Sequence, residues 1–235
     1  MIKLLTIVVT DSPTIVSVGP SRAIFAQMYN QTRMTCKADG NPPPKYQWLQ
    51  KLPTHEVLVR GEGPQLLIDN VTYDQQGEYV CKAINEIRGE QRAIQSEPII
   101  LEVTGAPQIS RFAAPLDVIV QDGEDAVLEV RFCADPLPEQ LWHLGSNGPN
   151  NVILAAGTQH GRFVAEIVRK LRDDCYISTL RINGATPSDS NEYELRLSNS
   201  HGIDTHKINL QVRGNLLLIS FVFCLSNLYH NSLKI

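Results

Sequence analysis

Apolar and polar residues alternate along this chain in short segments, roughly every 8–12 residues, and no stretch of useful length follows the helical period. The clearest strand is Thr32-Arg-Met34-Thr-Cys36-Lys-Ala38, where every second residue is small or apolar. It runs into the turn-rich Asp39-Gly-Asn-Pro-Pro-Pro44, after which Tyr46-Gln-Trp48 opens another strand. Glu56–Arg60, Leu66–Ile68 and Gly77–Ala83 follow, and Pro98–Val103 closes the unit. Such spacing, punctuated by Gly, Pro, Asn and Asp, predicts a β-sandwich.

Thr104-Gly-Ala-Pro107 reads as a short linker, because Gly and Pro interrupt strand pairing. After it the pattern restarts. Ala126–Ala134 resembles Thr32–Ala38, and Asp135-Pro-Leu-Pro138 and Trp142 follow as before. Leu180-Arg-Ile182 echoes Leu66-Leu-Ile68, Asn191–Leu195 echoes Gly77–Cys81, and Ile208, Leu210 and Val212 alternate in a last strand. The prediction is all-β: two tandem sandwiches over 11–104 and 105–213, with a tail over 214–235 outside the fold. A length of 235 residues suits two domains of about 100 residues each.

The ends differ from the rest. Met1–Val9 carries a lysine and a short apolar core like a signal peptide, without an obvious small-residue cleavage site. Leu216–Leu225 is an apolar run that would span only about 15 Å as a helix, about half of a bilayer's hydrocarbon core. That excludes a membrane-spanning helix there and marks the tail as foreign to the sandwich.

Composition narrows the function classes. The net charge of −4 is spread along the chain, with no basic cluster to neutralise phosphates, so nucleic acid is not an expected partner. The five cysteines fall as two in each half, Cys36 with Cys81 and Cys133 with Cys175, plus Cys224 in the tail. Two pairs and a remainder are the arithmetic of a disulfide framework in an oxidising compartment. None lies in a Cys-x-x-Cys spacing, which removes the usual basis for zinc or thioredoxin-like chemistry.

The first unit resembles an immunoglobulin domain, on Cys36, Trp48 and Tyr79-Val80-Cys81. The resemblance implies a Cys36–Cys81 bond tying two facing sheets, an indole packed on it, and a tyrosine hydroxyl bonded back to the corner before its strand. The short separation of the cysteines implies an intermediate or constant-like set, without the extra C′ and C″ strands of a variable domain. The family's corner aspartate is replaced here by Gln75, with Asp74 one position early. The segments TCKADGNPPPKYQWLQK and VTYDQQGEYVCKAIN resemble the echinoid and nephrin-related branch of adhesion molecules. That implies homophilic or heterophilic cell–cell adhesion through other cell-surface immunoglobulin-superfamily proteins, a copy of itself or a related receptor.

In the second unit the same alignment places Phe132 opposite Cys36 and Leu195 opposite Cys81, so an apolar contact stands where the inter-sheet bond would be. Trp142, Asp189 and Tyr193 keep the rest of the pattern. Side chains alternate along strands, so with Phe132, Leu180 and Ile182 inward, Cys133 and Cys175 point outward on neighbouring strands, where a bond can form. By analogy Cys133 should face a residue near Ile177, leaving Cys175 about one pair off. Asn30-Gln-Thr32 and Asn70-Val-Thr72 fit the glycan acceptor pattern, which accords with an extracellular, cell-surface location.

No catalytic or cofactor-binding pattern is present: there is no nucleophile elbow and no phosphate-binding glycine loop. The chain is expected to be no enzyme, to use no cofactor or metal, and to take no small-molecule substrate. His201 and His206 read as solvated loop residues, Asp122-Gly-Glu-Asp125 and Asp173-Asp174 as turns, and Arg88-Gly-Glu90 as a hairpin turn. Two alternatives stay open: an intracellular muscle-type tandem immunoglobulin protein, and the ectodomain of a receptor kinase or phosphatase.

Overall fold

Every second residue from Thr32 to Ala38 is buried and its neighbours are exposed, so the alternation seen in the sequence is the inside and outside of a sheet. A computed structural model describes residues 9–52, 55–145 and 152–214. The first half contains β1 (Asp11–Gly19), β2 (Ala23–Gln27), β3 (Thr32–Asn41), β4 (Lys45–Lys51), β5 (Val57–Glu62), β6 (Gln65–Ile68), β7 (Gly77–Ile87), β8 (Glu90–Gln95) and β9 (Ile99–Ile109). One sheet has the order β1-β3-β6, and the facing sheet runs β9-β7-β4-β5, with β2 parallel to β9 and β8 beside β7. Between them lie Met34, Cys36, Trp48, Leu66, Ile68, Tyr79, Cys81 and Leu101, all buried.

The second half adds β10 (Asp117–Gln121), β11 (Ala126–Asp135), β12 (Glu139–Leu144), β13 (Val152–Ala155), β14 (Gln159–His160), β15 (Phe163–Ala165), β16 (Arg169–Arg172), β17 (Cys175–Ile182), β18 (Asn191–Asn199) and β19 (Gly202–Arg213). Its sheets are β10-β19-β18-β12-β13 and β14-β15-β17-β11-β9, with β16 also on β17. The fold is all-β with two tandem sandwiches, as the periodicity predicts.

The connection between them is short, but it does not interrupt pairing. β9 pairs with β7 through Ile99–Leu101 and then with β11 through Gly105, Gln108 and Ile109. One strand thus closes the first sandwich and opens the second. Pro107, which has no N–H to give, falls where the β9–β11 register shifts between Asp135↔Gly105 and Cys133↔Gln108.

A second difference concerns β5. The expected absence of a C′ strand does not hold: Val57, Leu58 and Val59 pair with Lys51, Gln50 and Leu49 of β4. The chain folds back on β4 after Leu52 instead of crossing to the other sheet, which takes few residues. β13 does the same beside β12 in the second half.

Candidate functional site

The Cys–Trp–Tyr constellation sits at the centre of the first sandwich. Cys36 and Cys81 are bonded across the two sheets, with their Cα atoms 6.3 Å apart. Trp48 lies beside Cys81 in register, fully buried, and donates its Nε1–H to the Gly63 carbonyl at 3.2 Å. Tyr79 donates its hydroxyl to the Gln75 carbonyl at 2.6 Å, and burial pushes its phenol up to about 12. Gln75 fills the place of the missing aspartate: its Oε1 accepts from the Thr72 N–H at 2.9 Å.

The second sandwich retains the charged version of that corner. Asp189 accepts from the Thr186 N–H at 2.7 Å and from Arg162 Nη2 at 3.0 and 2.9 Å, while Tyr193 donates to the Asp189 carbonyl at 2.8 Å. In the first sandwich Arg60 donates its Nε–H to Gln50 Oε1 at 2.7 Å. Phe132, Trp142 and Leu195 share one buried cluster, with Phe132 stacked at a tilt on Tyr176 at 5.6 Å. Trp142 donates its Nε1–H to Ser178 Oγ at 3.0 Å, so a hydroxyl on the facing sheet satisfies the indole.

Cys133 and Cys175 are bonded. They are direct partners in the β11–β17 ladder, and Ile177 faces Arg131, so the register is one pair different from the analogy. Their side chains leave the second core, as parity requires, yet the face they leave by is not open: Cys175 is buried and Cys133 packs against the core of the first sandwich.

That contact belongs to a junction that sequence patterning did not reveal. The Tyr73 hydroxyl donates to the Ala106 carbonyl at 3.3 Å and accepts from the Asp135 N–H at 3.0 Å. Gln76 donates to Asp174 Oδ2 at 2.8 Å and accepts from the Val103 N–H at 3.0 Å. Burial raises the Tyr73 phenol to about 12, and burial followed by the nearby Asp174 charge raises the Asp135 carboxyl. Gly105 is required here, since a Cβ would lie 2.6 Å from Met28 Cβ. Beside the junction opens a cleft of about 410 Å³ lined by Lys51, Tyr73, Gln76, Glu78, Arg172 and Asp173.

The remaining singled-out residues distribute over the surface. Asn30 and Asn70 are exposed and adjacent, joined through the Val71 N–H to the Asn30 carbonyl at 3.0 Å. Asp125 caps the Gly184 N–H at 2.9 Å and Glu124 accepts from the Gln121 N–H at 3.1 Å, so those carboxylates serve turns. Arg88 and Gly89 form the positive-φ turn between β7 and β8. His201 is exposed in a turn, but His206 is not solvated: it is buried in β19, its Nε2 2.9 Å from the Pro115 carbonyl oxygen. It shares the parity of Ile208 and Leu210, which turns it inward.

Among the described residues, no group of three or more His, Cys, Asp or Glu is placed to hold a metal ion, and no helix is long and apolar enough to cross a membrane. Leu216–Leu225, Cys224 and most of Met1–Val9 lie outside the described residues. What the described surface offers is sheet faces, edges and loops.

An immunoglobulin-domain family profile matches residues 12–85, and an immunoglobulin I-set profile matches residues 107–212. Neural cell adhesion molecule 1-A of Xenopus laevis is 26% identical over 220 residues, covering 90% of this chain and 18% of its own length. Muscle M-line assembly protein unc-89 of Caenorhabditis elegans is 28% identical over 199 residues, 78% of this chain and 2% of its own length. Vascular cell adhesion protein 1 of Canis lupus familiaris is 26% identical over 151 residues, 63% of this chain and 19% of its own length. The chain thus spans less than a fifth of each of these relatives. A crystal structure of Dpr2 Ig1-Ig2 in complex with DIP-Theta Ig1-Ig3 matches with a TM-score of 0.56 at 23% identity, over 86% of this chain and 65% of that one, a likeness of fold.

Proposed function

The chain belongs to the immunoglobulin superfamily, and from that premise we propose that it is an extracellular protein-binding module of a cell-surface adhesion molecule. In this reading it binds a copy of itself or a related immunoglobulin-superfamily receptor, in the manner of the echinoid and nephrin-related branch it resembles. The observation that carries the reading is the pair of disulfides, one buried in the first core and one at the junction. Bonds of this kind persist in oxidising compartments. The exposed glycan acceptor triplets at Asn30 and Asn70 accord with the same location. Single contacts between such domains are weak, and arrays on opposed membranes supply strength through multivalency.

The identity to the M-line protein favours one rival, an intracellular filament component. Membrane-impermeant biotin applied to live cells separates the two. The proposal expects the full-length protein to be labelled, to shift in mass on glycosidase treatment, and to yield a Cys36–Cys81 linked peptide without reduction. An unlabelled protein with free Cys36 and Cys81 thiols would place it inside the cell.

A further inference from the structure

Three of the four residues of β16, Arg169-Lys-Leu-Arg172, are basic, and all four are exposed. Simple alternation along the strand would put Arg169 and Arg172 on opposite faces. The β16–β17 register shifts between Lys170 and Arg172, so Leu171 is an extra residue and the alternation is reset. Arg169 pairs with Ile177, and Arg172 pairs with Cys175. On β17, Leu180 and Ile182 belong to the second core, so Ile177 and Cys175, of opposite parity, face outward. The two arginines therefore share the outer face of the sheet. Arg131 of β11, also exposed, pairs with Ile177 from the other side.

Arg131, Ile177 and Arg169 thus form one row across three strands, with Arg172 in the next row beside Cys175. Strand spacing sets Arg131 and Arg169 about 10 Å apart, and Arg172 about 7 Å further along the strand. Ile177 is only 2% exposed although it faces outward. Arginine stems cover an apolar neighbour in this way while their guanidinium groups stay in water. The nearby acids are mostly engaged. Glu129 meets Arg169 at 3.6 Å, Glu166 holds Arg181 at 2.9 Å, and Asp174 accepts from Gln76 at 2.8 Å. Asp173 and Glu78 line the junction cleft with Lys51 and Arg172, so the basic face ends there. Among the described residues, Arg131, Lys170 and Arg172 make no ion pair. Charge on an exposed edge also blunts it against pairing with another strand. That explains β16 alone but not Arg131, whose strand is paired on both sides, with β17 and β9.

We propose that Arg131, Arg169, Lys170 and Arg172 form a binding site for a sulfated glycosaminoglycan. The proposal rests on the extracellular location given above, because such polysaccharides lie on cell surfaces and in the matrix between them. A linear polyanion presents its sulfates in succession, and arginine forks take oxyanions with paired hydrogen bonds. Release of the polyanion's counter-ions drives the contact, which is therefore sensitive to salt. Short basic runs on a surface suit heparin-like chains and nucleic acids alike. β16 carries no aromatic side chain on which a base could stack, which favours the polysaccharide. The site lies on the second sandwich and is separate from any contact with a protein partner.

Titration calorimetry of the full chain with a short heparin oligosaccharide, repeated across NaCl concentrations, tests the site. The net charge is −4, so binding at neutral pH requires cations gathered in one place. The logarithm of the affinity should fall with the logarithm of salt at a slope of about 3. Lys170→Gln with Arg172→Gln should weaken binding roughly tenfold and lower that slope by about 2. Arg33→Gln with Lys37→Gln removes two charges from the exposed face of β3 and should leave the affinity unchanged. Equal thermal midpoints verify that the variants are folded. Absence of binding, an unaffected Lys170/Arg172 variant, or an equal loss in the Arg33/Lys37 variant would overturn the proposal. Duplex DNA that competes equally at equal charge would also overturn it, by showing a face that counts charge alone. Bead aggregation separates the site from the adhesion reading. Beads that cluster while the chain ignores heparin retain adhesion and sink the site. A heparin-binding chain whose beads do not cluster retains the site and sinks adhesion.

Discussion

Replacing Cys36 and Cys81 by alanine together should remove most of the stability of the first sandwich. The bond closes a loop with a sequence separation of 45 residues, worth about 4 kcal/mol of denatured-state entropy at 25 °C. Both sulfurs are also lost from a core in which Cys36 and Cys81 are buried beside a fully buried Trp48. Each vacated sulfur adds about 1 kcal/mol of lost contact and cavity. The sum, about 6 kcal/mol, is comparable with the whole stability of a small domain. Removing Cys133 and Cys175 opens a loop of similar separation, 42 residues, and so has nearly the same entropic cost of about 4 kcal/mol. Its native-state cost is different, because the second core of Phe132, Trp142 and Leu195 does not include that bond. Hydrogen exchange under increasing denaturant reads opening free energies strand by strand, despite the strand shared by the two sandwiches. Protection of β3 and β7 should collapse in the first variant. In the second, β11 and β18 should stay protected in the absence of denaturant, while the junction peptides around Tyr73 and Asp135 exchange faster. Unchanged protection of β3 and β7 after loss of Cys36 and Cys81 would refute the reasoning.

Phe132→Ala should destabilise the second sandwich by about 3–5 kcal/mol, measured by chemical denaturation, since it empties the place that a disulfide holds in the first. Gly105→Ala should leave both cores folded but displace Met28 and break the Tyr73–Asp135 bond, read as a changed scattering profile and interdomain angle; an unchanged profile would deny the close approach. Tyr73 and Tyr79 both ionise at about 12 in the folded chain, above the ordinary value of 10.0. Below pH about 10 both states keep the proton and the contribution is full; as pH rises from about 10 to 12 the unfolded chain deprotonates first, so stability should fall through that window. Tyr73→Phe should lessen the fall, as followed by thermal midpoints across alkaline pH.

Much of this architecture was legible because it is carried by local alternation. The inward residues of β3, β11 and β19 announce themselves at every second position, and Cys36, Trp48 and Tyr79 have chemically distinctive side chains. The junction was not legible, because it is made by residues with no periodic signature. Tyr73 and Gln76 sit in and just after a 3-10 turn, and their partners Asp135 and Asp174 lie far along the sequence. Gly105 and Pro107 read as breakers, yet a glycine also permits close approach and a proline is accommodated at a register shift. The Cys133–Cys175 pair closes the β11–β17 ladder, and the Ala134 N–H just beyond it donates to the Asp174 carbonyl at 2.8 Å, a long-range register with no local sequence signal. His206 was misplaced because a lone histidine near Gly202 looks like loop, whereas β19 begins at Gly202 itself.

Aggregation of beads coated with the full chain, in two colours, tests the adhesion reading most directly. The account predicts mixed-colour clusters, formed by self-coated beads or with beads carrying a related immunoglobulin-superfamily receptor, and their loss when Cys36 and Cys81 are replaced. Folded, oxidised protein that clusters in neither format would contradict it.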